Sequence, residues 1–235
     1  MCGKLEYWGY QKMKLSNLRK KSSSLGQRFY TLELAFNILE NFRGKNITQI
    51  GCQSKEFEYA NFDLFNIFAD YATEKNIYYD IYVDFDDITL KSRIYNIQRQ
   101  IYSNYNSDNI RLIDINKSTN KNKIDLLLLN DICYPINEIT KQVSKELNYL
   151  EAINLLHSLS EEDINTTYGD IINPCREKML KEYSMFKNNL NKSSIVLLEG
   201  NDYPGGSQTK YVKERLSGDN FNCLLDLKQS VWMRN

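Results

Sequence analysis

The spacing of apolar residues along the chain alternates between the periods of α-helices and β-strands. Five stretches carry apolar residues three or four positions apart, as on one face of a helix, at 32–42, 62–72, 90–101, 179–190 and 210–216. Between them lie short runs rich in β-branched, leucine and aromatic residues, typical of strands, at 46–51, 77–85, 110–115, 124–129 and 194–198. This alternation predicts an α/β fold: a Rossmann-like, doubly wound and mostly parallel sheet with helices on both faces.

Three details refine this picture. Residues 124–129 are almost continuously apolar, as a central strand covered on both faces must be. Two β-prone segments, 221–227 and 230–234, close the chain and predict a hairpin, so we expect the last strand to be antiparallel to the others. Gly44 is expected to end the first helix.

The chain is predicted to consist of an arm, one domain and an insertion within that domain. Residues 1–27 combine basic residues with a serine run and are interpreted as an N-terminal arm, followed by one domain over residues 28–235. Residues 131–172 are longer than an ordinary connection and carry apolar residues at helical spacing, which predicts an inserted helix. Asn173 and Pro174 then form a typical N-cap and first-turn pair for the next helix.

Charge and composition narrow the classes of function. Lys+Arg 30 balance Asp+Glu 30, and the sequence pI is ≈ 6.6. A protein that binds nucleic acid by neutralising phosphates carries a basic excess, so we expect no nucleic-acid partner. The content of 17 Tyr and 10 Phe against 3 Pro excludes disordered and collagen-like classes.

The cysteines and the lengths of the apolar segments predict where in the cell the protein resides. The five cysteines are scattered without a CxxC pair, and we interpret them as reduced thiols of a cytoplasmic protein. The N-terminal sequence MCGKLEYWGYQKMK lacks the apolar core of a secretion signal. No stretch approaches the ~18 apolar residues of a membrane span, so no membrane partner is expected.

In an open parallel sheet, ligands bind outside the carboxyl ends of the strands. This rule selects the loops at 51–59, 84–87, 130–133 and 199–206. A glycine that closes the first strand lets backbone approach a ligand, and an acid that closes the second suits the two hydroxyls of a ribose. The alternative is structural, because Gly and Asp are common wherever a strand turns.

Five segments carry a resemblance to a known family. They are RFYTLELAFNILENFRGKNITQIGCQ, FADYATEKNIYYDIYVDFDD, IDLLLLND, SSIVLLEGNDYPGG and LLDLKQSVWMR. In this order they resemble class I S-adenosylmethionine-dependent methyltransferases, over Arg28 to Arg234 apart from the 131–172 region. The resemblance implies a seven-stranded sheet with an antiparallel last strand, S-adenosylmethionine as cofactor, and methyl transfer as the activity.

The resemblance also implies site residues at the strand ends. The expected cofactor-binding residues are Gly51, Cys52, Asp84, Phe85 and Asn130. Among them, Asp84 would hold the cofactor's ribose. Asp131 and Glu199, which end the fourth and fifth strands, are the candidate catalytic residues. We expect O-methylation of a small-molecule or glycan-type acceptor, whose identity no sequence feature reveals.

Two features depart from the family's pattern. After the first strand and the residues Gly51, Cys52 and Gln53, the chain continues with SKEFEYANFDLFN, where family members carry further glycines. Asn130 replaces an acid that family members carry. The aromatic residues that could fill the cofactor's space are Phe57, Tyr59, Phe62 and Phe65. Two hypotheses therefore stay open: a methyltransferase, or a non-catalytic methyltransferase-like binding or scaffold protein that has lost the cofactor.

Other candidates have structural alternatives. Asp131, Glu199 and Asp202 could chelate a divalent cation, but acidic turns are common and we expect no metal. His157 could be a general base, or a half-buried residue of the inserted helix. The turn at 203–206 could contact substrate, or simply be the tight turn that Pro-Gly demands.

Overall fold

The computed structural model describes residues 29–51, 64–87, 91–105, 108–117, 122–130, 158–199, 209–226 and 229–235, together with positions 139, 142, 147, 148, 151, 154 and 155. In chain order the elements are α1 (Phe29–Asn41), β1 (Asn46–Ile50), α2 (Leu64–Lys75), β2 (Tyr78–Val83), α3 (Lys91–Gln100) with a π-helical turn (Ile101–Tyr105), β3 (Ile110–Asp114), β4 (Ile124–Asn130), α4 (Glu161–Lys187), β5 (Leu190–Glu199), α5 (Thr209–Gly218), β6 (Phe221–Asp226) and β7 (Gln229–Arg234). None of the described helices is long and apolar enough to cross a membrane.

The strands form one seven-stranded sheet in the order β3-β2-β1-β4-β5-β7-β6. Strand β7 runs antiparallel to both β5 and β6, and every other pairing is parallel. The apolar run in β4 lies at the centre of the sheet, paired with β1 on one side and β5 on the other. The predicted fold class, the central strand and the terminal hairpin are thus confirmed.

Alternate residues of the strands are buried on opposite faces of the sheet. On one face, Ile47 and Leu126 belong to a core with α1, α2 and α3. On the other, Ile50 and Leu127 belong to a core with α4 and α5. Both faces of the sheet are thus covered by helices, which confirms the predicted helices on both faces.

The second face of β1, β2 and β3 is covered in an unusual way. Parallel strands are ordinarily joined by a crossover of about a dozen or more residues that contains a helix. Here only residues 115–123 join β3 to β4, and their described parts, 115–117 and 122–123, are not helical. Helix α4 supplies the missing cover, because Phe186 packs edge-on against Tyr82 of β2 at 4.7 Å between ring centroids.

The predicted helix start at Asn173 and Pro174 was wrong. The helix begins earlier, at Glu161, because Ser160 and Asp163 form a capping box in which each side chain accepts the other's backbone N–H. Pro174 lies inside the helix, where its ring disturbs the preceding turns. The helix is kinked at Tyr168 (φ −122°, ψ 19°), six residues before this proline.

The described positions of the insertion correct the expectation of one inserted helix. The helical spacing is broken at Leu147 and Asn148, which are not helical. There Asn148 and Glu151 exchange side chain to backbone hydrogen bonds of 2.9 and 3.1 Å, the pattern that starts a new helix. Ile139 packs with Ile164 and Ile172 of α4, apart from the two sheet cores. The predicted arm at 1–27 lies outside the described residues.

Gly44 has a different role from the one predicted. Helix α1 already ends at Asn41, and Gly44 lies where the chain passes closely over β4. A Cβ atom at Gly44 would lie 2.6 Å from Phe42 Cζ and 2.8 Å from Asp125 Cγ. The carboxylate of Asp125 accepts the backbone N–H groups of Lys45 and Asn46 at 2.8 and 3.1 Å. The glycine therefore permits the close approach that starts β1.

We predict that Gly44→Ala destabilises the fold by about 2 to 3 kcal/mol, because the added methyl group forces Asp125 away from the start of β1. Chemical denaturation of the purified variant measures this. The matched control is Gly218→Ala, where an added Cβ meets nothing within 4 Å; its change should stay within about 0.5 kcal/mol. Equal stability of the two variants would contradict the proposed role of Gly44.

Candidate functional site

The candidate site lies along the carboxyl edge, by which we mean the carboxyl ends of β1, β2, β4 and β5. The backbone N–H of Gly51 donates to Tyr82 O at 2.9 Å, which sets Gly51 beside the end of β2. Asn130 of β4 is paired with Glu199 of β5. The structure thus brings the backbones of Gly51, Asn130 and Glu199 to one edge, as parallel strands predict.

Gly51 adopts a conformation that favours glycine. Its φ is 87°, in the left-handed region, so the chain turns sharply out of β1. The side chain of Gln49 holds this turn, because its Nε2 donates to Gly51 O at 2.9 Å and its Oε1 accepts the Tyr79 hydroxyl. Gln49 is fully buried and was not predicted. The available signal was a long polar side chain within the β-prone run NITQI.

Asp84 follows β2 directly and is held through one oxygen only. Its Oδ1 accepts the backbone N–H of Asp86 at 3.0 Å and Nδ2 of Asn116 at 2.9 Å. Among the described residues, no donor reaches Oδ2. Asp80 of β2 differs, since both of its oxygens are bound by Arg111 at 2.7 Å. Asp84 is therefore oriented and still able to accept hydrogen bonds, whereas Asp80 is structural.

Asp114 at the end of β3 fixes the surroundings of Asp84. Its Oδ1 accepts the backbone N–H of Asn116 at 3.0 Å, and its Oδ2 is 3.0 Å from Lys117 Nζ. The Lys117 ammonium and the backbone N–H groups of Asn116 and Phe85 lower the pKa of Asp114. Asp114 thus ties the turn after β2 to the turn after β3, and positions the amide that binds Asp84.

Phe85, a predicted cofactor-binding residue, lies in the turn directly after β2. The ring is partly buried against the core formed with α1, α2 and α3. Its backbone N–H acts on the Asp114 carboxylate. Its contact with the cofactor stays a prediction.

Of the four aromatic residues that could fill the cofactor's space, the structure describes one, Phe65. Phe65 is fully buried against Tyr79 and Tyr105, with ring centroids 6.2 and 5.7 Å away, so it fills the helix–sheet core. Phe57, Tyr59 and Phe62 lie outside the described residues. So do Cys52, Asp131, His157 and the turn at 203–206, and nothing is described of the side chains of Asn130 and Glu199.

Helix α4 brings a charged pair to the end of β2. Lys178 Nζ lies 3.9 Å from Asp87 Oδ2. One turn further, Glu182 is 6% exposed, and its Oε2 has no hydrogen-bond partner in the described part of the chain. Burial is the main cause that raises the pKa of Glu182 to about 7, and the nearby Asp84 charge raises it further. Glu182 looks in sequence like an ordinary solvent-facing helix residue and was not predicted.

The described residues contain no cluster of metal ligands, and Lys210 lies beside an aromatic ring. Within the described ranges, no three His, Cys, Asp or Glu side chains are grouped so that they could hold a metal ion. Lys210, at the start of α5, lies 5.1 Å from the ring centroid of Tyr211, and the Arg176 guanidinium lies 4.5 Å from the same centroid.

Comparisons with known proteins give likenesses of fold. No protein-family model matches the chain, and no curated protein matches it in sequence. Among the solved structures that match, a Thermoplasma acidophilum protein provisionally identified as a methyltransferase is 11% identical, with a TM-score of 0.42, over 86% of this chain and 74% of that chain. The O-methyltransferase NovP is 7% identical, with a TM-score of 0.45, over 86% and 76%. Likeness at this level carries no functional argument, so function has to be inferred from the carboxyl edge.

We predict that Glu182→Gln stabilises the protein at alkaline pH. The pKa of Glu182 is about 7 in the folded chain against an ordinary value of 4.5. Between these values only the unfolded chain releases the proton, so stability falls as pH rises, and above pH 7 the cost is complete. Removing the charge should raise the free energy of unfolding at pH 8 by roughly 3 kcal/mol or less, and by nothing near pH 4.

The matched control for this prediction is Glu177→Gln, an exposed acid on the same helix. Denaturation at pH 4, 6 and 8 should show a pH-dependent gain for the Glu182 variant and none for the control. Parallel pH profiles for the two variants would show that Glu182 is ionised without cost.

Proposed function

We propose that the protein is an S-adenosylmethionine-dependent methyltransferase that methylates a hydroxyl of a small-molecule or glycan-type acceptor. The observation that carries the proposal is the state of Asp84. Its carboxylate lies at the end of β2 beside Gly51 and is fixed through Oδ1, which leaves Oδ2 available. The sequence resemblance over most of the chain supports the same activity.

The described residues fit the cofactor. The available oxygen of Asp84 has two lone pairs, so it can accept hydrogen bonds from both vicinal hydroxyls of a ribose. Gly51 carries no Cβ and turns away with φ 87°, so a ligand can approach the backbone there. Cys52, Phe85 and Asn130 complete the proposed cofactor contacts.

Bound at the carboxyl edge, S-adenosylmethionine would supply the methyl group. The chain's own contribution is mainly positioning, because methyl transfer is an in-line displacement that depends on holding donor and acceptor in contact. Asp84 binds the ribose, and Gln49 keeps the Gly51 turn in place. Glu199 and Asp131 are proposed to accept the proton of the acceptor hydroxyl through their carboxylate oxygens. We place this reaction in the cytoplasm, since the cysteine pattern fits reduced thiols.

The test is calorimetric titration of the folded protein with S-adenosylmethionine and with S-adenosylhomocysteine. We expect both ligands to bind. In a denaturation measurement, a ligand at ~100 times its Kd should raise the free energy of unfolding by about 2.7 kcal/mol. Asp84→Asn removes a charged acceptor and should weaken binding about 10- to 100-fold, the worth of one or two charge-assisted hydrogen bonds.

Asp86→Asn is the matched control, because Asp86 is exposed and contributes to the site through its backbone N–H, which the variant keeps. Its affinity should stay within about twofold of the unchanged protein. A folded protein that binds neither ligand at millimolar concentration refutes the proposal and favours the non-catalytic, methyltransferase-like scaffold.

A further inference from the structure

Helix α4 places a buried acid at the same end of β2 as Asp84. Glu182 is 6% exposed, and no described residue donates a hydrogen bond to its Oε2. Leaving a buried carboxyl oxygen without a partner costs free energy in the empty protein. An acid in such a position is suited to a partner from outside the described residues, such as a bound ligand.

The charges around Glu182 do not neutralise it. On its own helix, Lys178 and Lys181 favour its ionised form, and Asp84 opposes it from the end of β2. Lys178 is already 3.9 Å from Asp87. Burial outweighs both lysines, so the group is largely protonated below neutral pH.

Two further lysines of this region are already paired with carboxylates. In the turn after β3, Lys117 is paired with Asp114 at 3.0 Å. At the C-terminal end of α4, Lys187 is paired with Asp219 at 3.3 Å. A positive charge that arrives at the carboxyl edge would therefore act on Glu182 with little competition from these groups.

We propose that Glu182 recognises positive charge in the bound ligand: it is protonated in the empty site and becomes a carboxylate, releasing its proton to solvent, when a cationic ligand occupies the carboxyl edge beside Asp84. This inference rests on the proposed function. S-adenosylmethionine carries a positively charged sulfonium, whereas the sulfur of S-adenosylhomocysteine is neutral. The two ligands share their ammonium and carboxylate groups, so the sulfonium is the charge that separates them.

The consequence is a linkage between proton release and ligand charge. If binding lowers the pKa of Glu182 from about 7 to about 6, the affinity for the cationic ligand rises about fivefold between pH 6 and pH 8, and about 0.4 proton is released per ligand at pH 7. The neutral-sulfur ligand should release less. Selectivity for cofactor over its demethylated product therefore increases with pH.

The experiment is titration calorimetry of both ligands at pH 7 in phosphate and in Tris buffer, whose different ionisation enthalpies report the number of protons released. Three proteins are compared: the unchanged protein, Glu182→Gln, and the exposed control Glu177→Gln. We expect greater release with S-adenosylmethionine than with S-adenosylhomocysteine in the unchanged protein and in the control. In Glu182→Gln that difference should disappear.

Each outcome decides between the two proposals. Absence of binding of either ligand to the folded, unchanged protein overturns the proposed function and this inference together. Binding with the same ligand difference in Glu182→Gln overturns the inference alone. If Glu182→Gln does not fold, the unchanged protein still decides: equal proton release with the two ligands refutes charge recognition, and greater release with the cationic ligand together with a fivefold rise in its affinity from pH 6 to pH 8 supports it.

Discussion

The carboxylate of Asp125 is the contact from which the alignment of the sheet follows. It lies on the central strand, accepts the backbone N–H groups of Lys45 and Asn46 through Oδ2, and accepts Nδ2 of Asn191 through Oδ1 at 2.6 Å. One side chain thereby connects the starts of β1, β4 and β5. Because a slip of one residue would exchange the two faces of a strand, this connection keeps the apolar residues of all three strands on their proper sides.

The same alignment produces the carboxyl edge. Once the starts of β1 and β4 are fixed, Ile50 lies opposite Leu129, and β4 and β5 end opposite each other at Asn130 and Glu199. Gly51 then turns out of the sheet beside the end of β2, where Asp84 is held by its neighbours. The site therefore depends on strand register. Contacts at the amino ends of the strands determine which polar groups meet at their carboxyl ends.

The fold and the site were predictable from sequence to different degrees. Strand runs and helical stripes depend on local pattern, so the sheet, its central strand and the roles of Gly51 and Asp84 as strand-end residues could be anticipated. The predicted helix start at Asn173 and Pro174 was wrong, because a capping box at Ser160, thirteen residues before Asn173, starts the helix first. Gln49 and Glu182 were missed, because their burial depends on partners far away in the chain. Glu182 in particular lies on α4, the helix that packs on the second face of β1, β2 and β3.

The short connection between β3 and β4 has a consequence for synthesis of the chain. A growing polypeptide emerges from the ribosome in sequence order, so β1, β2 and β3 appear long before α4. Until then Tyr82 lacks Phe186, and the apolar face that it belongs to is open to water and to other nascent chains. The apolar second face of β1, β2 and β3 can therefore be buried only after α4 has been translated, so folding of the first half has to wait for the second half.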